Sequence, residues 1–134
     1  MLADLVRRKA VSPHDLLEAA IERHKPWAIV NTAGFVRTEV AEELREECFR
    51  ANVTGPELLA RACKRNGIPL VTFSSDLVFG GDRTSAYLES HPVRPLCVYG
   101  RSKAEAETRV LAALPALLPS PIRGAADRGL AAPA

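Results

Sequence analysis

The chain has 134 residues and a formal net charge of +2, with 18 basic and 16 acidic side chains interspersed along it. One domain is the expectation at this length, and the even charge excludes the basic stripe of a nucleic-acid footprint. No apolar run reaches the length of a membrane span, and Met1 to Lys9 lacks the apolar stretch of a signal peptide, so a cytoplasmic protein is expected.

The first predicted element opens at Ser12-Pro13, a Ser at the N-cap and a Pro at the first helical position. Leu16, Leu17, Ala20, Ile21 and His24 then recur at helical spacing, and Lys25-Pro26 ends the helix. Trp27-Ala28-Ile29-Val30 is a short continuous apolar run, which predicts a strand buried on both faces, as in a parallel sheet. Asn31-Thr32-Ala33-Gly34 breaks it.

Val40 to Arg65 reads as one or two helices. Val40, Leu44 and Cys48 form one stripe; Leu58, Leu59, Ala62 and Cys63 form another. Pro56 permits a fresh helix start, and Asn66-Gly67 is a stop. Pro69 to Phe73 predicts a second buried strand, ending in Ser74-Ser75-Asp76. A long irregular segment from Phe79 to Val98 follows, the kind of loop that is usually functional or disordered. A further helix is expected from Gly100 to Leu114. The alternation of strand and helix gives an α/β class with a parallel sheet. Residues 1–114 are expected to form the domain. Residues 115–134, rich in Ala and Pro, are expected to be a poorly ordered tail.

The three cysteines, Cys48, Cys63 and Cys97, are too few and too widely spaced for a disulfide framework or a zinc site. Cys48 and Cys63 read as buried thiols acting as small hydrophobes. His14, His24 and His91 have no partner at ligand spacing, so no metal site is expected.

The most chemically suggestive pair is Tyr99 and Lys103. A four-residue step puts both on one helix face. A phenol titrates near ~10 in isolation, and a close ammonium favours the phenolate, which makes a proton donor suited to neutral pH. The bland alternative is an exposed Tyr beside a solvated Lys. In parallel sheets ligands sit beyond the carboxyl ends of the strands, where Asn31 to Gly34 and Ser74 to Asp76 lie. Ser75 is therefore expected near Tyr99, the two hydroxyls gripping one carbonyl oxygen during hydride transfer.

Four segments carry a resemblance. Val30-Asn31-Thr32-Ala33-Gly34, Asn52-Val53-Thr54-Gly55-Pro56-Glu57, Phe73-Ser74-Ser75-Asp76-Leu77-Val78-Phe79 and Pro95-Leu96-Cys97-Val98-Tyr99-Gly100-Arg101-Ser102-Lys103 follow one another in order. Together they resemble an extended short-chain dehydrogenase/reductase of the dTDP-4-dehydrorhamnose reductase type. The resemblance covers Pro13 to Leu114. It implies a partial Rossmann-like domain, a doubly wound parallel sheet, with NADP or NAD as cofactor and a 4-keto nucleotide sugar as substrate. By the same resemblance Tyr99 is the general acid, Lys103 lowers its pKa and bonds the nicotinamide ribose, and Ser75 orients the carbonyl. Asn31, Ala33 and Gly34 lie against the cofactor, Asn52 is structural, and the loop with Tyr87 and Glu89 lies near the site.

The chain also departs from that pattern. The family opens on a strand and a Gly-rich turn that receives the cofactor pyrophosphate, whereas the first glycine here is Gly34. The first strand and Gly-rich loop are thus expected to be missing, and the carboxyl end to be short as well. Leu77, Gly80, Cys97 and Glu39-Val40 replace residues common in relatives, which bears on substrate identity. Sheet edges left open by a missing strand invite a second copy or a partner chain. The alternative to a reductase is a non-catalytic regulatory or binding module, as in the methionine adenosyltransferase beta subunit. Epimerases and dehydratases share the Tyr and Lys spacing, and an inert fragment is the blandest reading.

Overall fold

The computed structural model describes residues 11–115. Residues 1–10 and, beyond Pro115, the whole expected tail lie outside the described residues.

Helix α1 spans Pro13–His24 and starts where local chemistry dictates. The Ser12 hydroxyl accepts from the Asp15 amide, and the Asp15 carboxylate accepts from the Ser12 amide, a reciprocal capping box. Lys25 closes the helix in the left-handed conformation, its amide donating to the Ile21 carbonyl. Strand β1 (Ile29–Asn31) follows. A 3-10 turn at Thr38–Val40 leads into α2 (Arg45–Phe49), which continues without a break through a π turn at Arg50–Thr54 into α3 (Gly55–Asn66). Gly67 ends this rod at φ 65°. Strand β2 (Leu70–Thr72) and a second 3-10 turn (Asp76–Val78) come next. After the irregular segment, α4 runs Val98–Ala113, two residues earlier than its sequence suggests, because Cys97 caps it through its sulfur.

The two strands are parallel, pairing Ile29 with Leu70, Val30 with Val71 and Asn31 with Thr72. Parallel neighbours need a long crossover, and the α2–α3 rod supplies it. Apolar packing falls into two clusters. Ile21, Ala62, Cys63 and Ile68 form one, with Leu17, Ile29, Leu70 and Leu114 packed on it. Phe35, Ala41, Cys48 and Val98 form the other, with Val40, Leu44, Phe49 and Tyr99 around it. Cys48 and Cys63 are buried free thiols, as their stripes imply. Burial pushes the Cys63 thiol pKa up.

One expectation needs correction. The strands are not buried on both faces: Trp27 is 88% exposed, Val30 58%, Val71 48% and Phe73 57%. Side chains alternate across a strand, so Ile29 and Leu70 meet the cluster built by α1 and α3 while Val30 and Val71 face away. Among the described residues no element covers that second face, and both outer sheet edges are unpaired.

Candidate active site

A cavity of about 360 Å³ opens at the carboxyl ends of the two strands. Its walls come from four places: Asn31 to Val36 at and after the end of β1, Asn52 and Pro56 of the rod, Thr72 to Ser74 at the end of β2, and one face of α4 that includes Tyr99, Lys103 and Glu107. Tyr99 and Lys103 stand one turn apart on that face, both half-buried. Asn31, Ala33 and Gly34 line the same space. Five of the six residues singled out from the sequence for catalysis or cofactor binding are therefore brought together.

The loop after β1 is shaped by its own side chains. The Ala33 amide donates to Asn31 Oδ1 at 3.2 Å, an Asx turn, while Asn31 Nδ2 donates to Thr72 Oγ1 at 3.3 Å across the strands. Next to it lies a buried polar knot. The Phe35 amide donates to Asn52 Oδ1 at 2.8 Å, and Asn52 Nδ2 donates to the Phe35 carbonyl at 3.2 Å and to Ser102 Oγ at 3.0 Å. Ser102 Oγ in turn donates to the Tyr99 carbonyl at 2.7 Å. Asn52 and Ser102 are 2% and 0% exposed. The knot joins the β1 loop, the π turn and α4, and so sets the distance between the two walls. Gly34 is required by it, since a Cβ there would sit 2.8 Å from Asn52 Oδ1.

Helix α4 is held by further contacts. Glu42 accepts from the Val98 amide at 2.7 Å, a carboxylate at a helix N-terminus. Gly100 lets the helix lie against the 3-10 turn, since a Cβ there would be 2.2 Å from the Leu77 carbonyl oxygen. Lys103 donates to the Phe73 carbonyl. Burial draws its pKa below the ordinary lysine value, opposed by Glu107 and Cys48.

Ser75 is the residue that the cavity walls do not include; its neighbour Ser74 lines them instead. Ser75 caps the second 3-10 turn, accepting from the Leu77 amide at 3.2 Å and donating to Asp76 Oδ1 at 3.1 Å. Tyr87 and Glu89 lie outside the cavity as well. Tyr87 stacks on Phe79 at 4.4 Å, and its hydroxyl donates to Asp82 at 2.7 Å, holding that carboxyl below the usual aspartate range. The sequence reading passed over Ser102 and Glu107. Ser102 is a polar residue inside a helix, which reads as surface. Glu107 has the four-residue spacing from Lys103 that was its available signal.

Comparison with known proteins places this geometry. The family described as the RmlD substrate binding domain matches residues 5–118. The dTDP-4-dehydrorhamnose reductase of Aggregatibacter actinomycetemcomitans is 34% identical over 105 residues, 78% of this chain and 36% of that protein. A probable dTDP-4,6-dihydroxy-2-methyloxan-3-one 4-ketoreductase of Streptomyces antibioticus is 35% identical over 130 residues, 84% of this chain and 43% of that protein. The chain thus spans well under half the length of these curated relatives. Among solved structures, the dTDP-4-dehydrorhamnose reductase of Bacillus anthracis in complex with NADP superposes with a TM-score of 0.73 at 30% identity, covering 75% of this chain and 36% of that one. The fold is a Rossmann-like α/β arrangement, and the chain belongs to the family of the RmlD substrate binding domain.

Proposed function

We propose that this chain carries the catalytic face of an NAD(P)-dependent reductase of a 4-keto nucleotide sugar, with Ser75, Tyr99 and Lys103 as the catalytic set. The observation that supports the reading is the placement of Tyr99 and Lys103 one turn apart, on the wall of a cavity at the carboxyl ends of both strands. Relatives are named as dTDP-sugar reductases, and solved neighbours hold NADP or NAD.

The donor set fits the nicotinamide-ribose end of such a cofactor. A cavity of about 360 Å³ is at the small end of ligand pockets, with room for one end of a dinucleotide. Lys103 would bond the ribose, and Asn31, Ala33 and Gly34 would lie against the ring. When bound, the cofactor supplies the hydride. Tyr99 donates its hydroxyl proton to the substrate oxygen as that oxygen gains negative charge. Ser75, once its hydroxyl turns from Asp76, donates to the same oxygen and orients the carbonyl. Lys103 places a positive charge beside the forming anion. Among the described residues no helix is long and apolar enough to cross a membrane, and we place the chain in the cytoplasm.

Titration of the purified chain with NADPH and NADH, followed by nicotinamide fluorescence, tests the reading, and turnover of a dTDP-4-keto sugar completes it. Tyr99→Phe should lower turnover by about 10²–10⁴-fold while cofactor binding persists. No binding by a chain that is folded by circular dichroism would sink the autonomous reductase.

A second reading rests on the bare sheet face around Val30 and Val71. There the chain is a non-catalytic binding module, and a second copy or a partner chain adds a strand at an open edge. Saturable partner binding without keto-sugar turnover would favour it.

A further inference from the structure

We propose that Glu107 is a positioning residue of the cavity: its carboxylate fixes the turn that carries Ser75 and sets the one negative charge of the cavity wall a helical turn from Lys103. The catalytic meaning of this assignment rests on the reductase reading above; the geometry itself does not.

Glu107 is the one carboxylate among the described residues that line the cavity, and Lys103 the one cation. Tyr99, Lys103 and Glu107 stand at successive four-residue steps of α4, so they form a column on one face with Lys103 in the middle. The chain leaving β2 is tied to this column at two consecutive residues. The Phe73 carbonyl accepts from Lys103 Nζ, and the Ser74 hydroxyl donates to the Glu107 carboxylate. Ser75 is the next residue along, so its freedom is set by these two ties. No ion pair of Glu107 with a surface cation is formed among the described residues, which leaves its charge directed at the cavity.

The need for that charge follows from burial. A half-buried ammonium loses hydration and releases its proton more readily. Lys103 is subject to this, and Glu107 opposes it more than Cys48 does. The groups facing Lys103 are Glu107 and Tyr99 on its own helix and Cys48 from α2. The β1 loop and the end of β2 contribute no titratable side chain to the cavity wall.

The test is an NMR titration of the full chain labelled with ¹³C at lysine Cε. The chain has four lysines, and the resonance that vanishes in Lys103→Arg assigns the signal. Glu107→Gln should move the Lys103 midpoint downward, since glutamine keeps an acceptor for Ser74 and removes the charge. Ser74→Ala, which removes the tie and keeps the charge, should leave that midpoint in place. Amide exchange at Leu77 and Val78, whose amides donate to Ser75, should speed up about fivefold in Ser74→Ala and in Glu107→Ala. An unmoved Lys103 midpoint in Glu107→Gln, or unchanged exchange in Ser74→Ala, overturns the assignment. Neither readout involves the cofactor. Failure of NADPH and NADH to bind would therefore remove the reductase reading and leave the Glu107 result standing.

Discussion

Replacing Asn52 by Ala should be among the most damaging single changes in this chain. The side chain is 2% exposed and makes four bonds: it accepts from the Phe35 amide at 2.8 Å, and donates to the Phe35 carbonyl at 3.2 Å, to Ser102 at 3.0 Å and, weakly, to Cys48 Sγ at 3.7 Å. Truncation leaves both backbone groups of Phe35, itself 9% exposed, without their partner. An orphaned buried polar group costs about 1–3 kcal/mol. Two such groups and the lost bond to Ser102 sum to roughly 3–4 kcal/mol, with water relieving some of it. Total stabilities are about 5–15 kcal/mol, so little would remain. With a urea m value of about 1 kcal/mol/M, the unfolding midpoint should fall by roughly 3 M. Asn52→Asp separates hydrogen bonding from packing, because an ionised Asp accepts but cannot donate. It keeps the shape, faces the Phe35 carbonyl with a second acceptor, and should be no better tolerated. Urea unfolding monitored by circular dichroism checks both variants. A loss below about 1 kcal/mol for Asn52→Ala, or a near-neutral Asn52→Asp, would refute the claim that the knot holds the β1 loop to α4.

Other substitutions probe neighbouring contacts. Gly100→Ala gains helix propensity of about 1 kcal/mol yet drives a methyl into the Leu77 carbonyl; a net loss of roughly 1–3 kcal/mol is expected, and a higher melting temperature would contradict it. Gly34→Ala meets Asn52 Oδ1 and should also destabilise, by an amount that shrinks in an Asn52→Gly background when the double-mutant cycle is measured. Cys97 caps α4 through sulfur, 3.3 Å from the Gly100 amide, so Cys97→Asn should stabilise the chain by about 0.5–1 kcal/mol; thermal melting reads this directly. Acid sensitivity should fall on Glu18, whose pKa is lowered first by its bond from Arg65 and then by Asn66. A depressed carboxylate gives stability that is fully present above the unfolded value near ~4.3 and is lost as pH falls through the folded value. Glu18→Gln should accordingly flatten the acid limb of a pH–stability profile, costing stability above the unfolded value and changing little once pH is below the folded value.

The legible parts of this chain were those set by neighbouring residues. The Ser12 cap, the Lys25 and Gly67 stops and the column of Tyr99 and Lys103 each depend on a few adjacent positions. The gathering of Asn31, Ala33 and Gly34 with Tyr99 and Lys103 followed from strand ends in a parallel sheet. What stayed hidden depends on tertiary placement. The apolar run at Ile29-Val30 has no mark saying that only one of its faces would be covered. Ser102 is polar and helical, and only its position opposite Asn52 makes it interior. Ser75 was expected beside Tyr99; its hydroxyl caps the following turn, a role that Ser also favours locally.

The π turn at Arg50–Thr54 has a consequence for how the rod from Arg45 to Asn66 is phased. A plain α-helix repeats every 3.6 residues, and a π turn inserts an extra residue that shifts everything beyond it around the axis. Cys48 lies before the shift and faces the Phe35–Val98 cluster; Ala62 and Cys63 lie after it and face the cluster of Ile21 and Ile68. The rod therefore behaves as two helices fused out of step, each indexed to its own core. Removing one residue from the turn would restore a single phase, and the helix could then register with one cluster only by turning its apolar stripe away from the other.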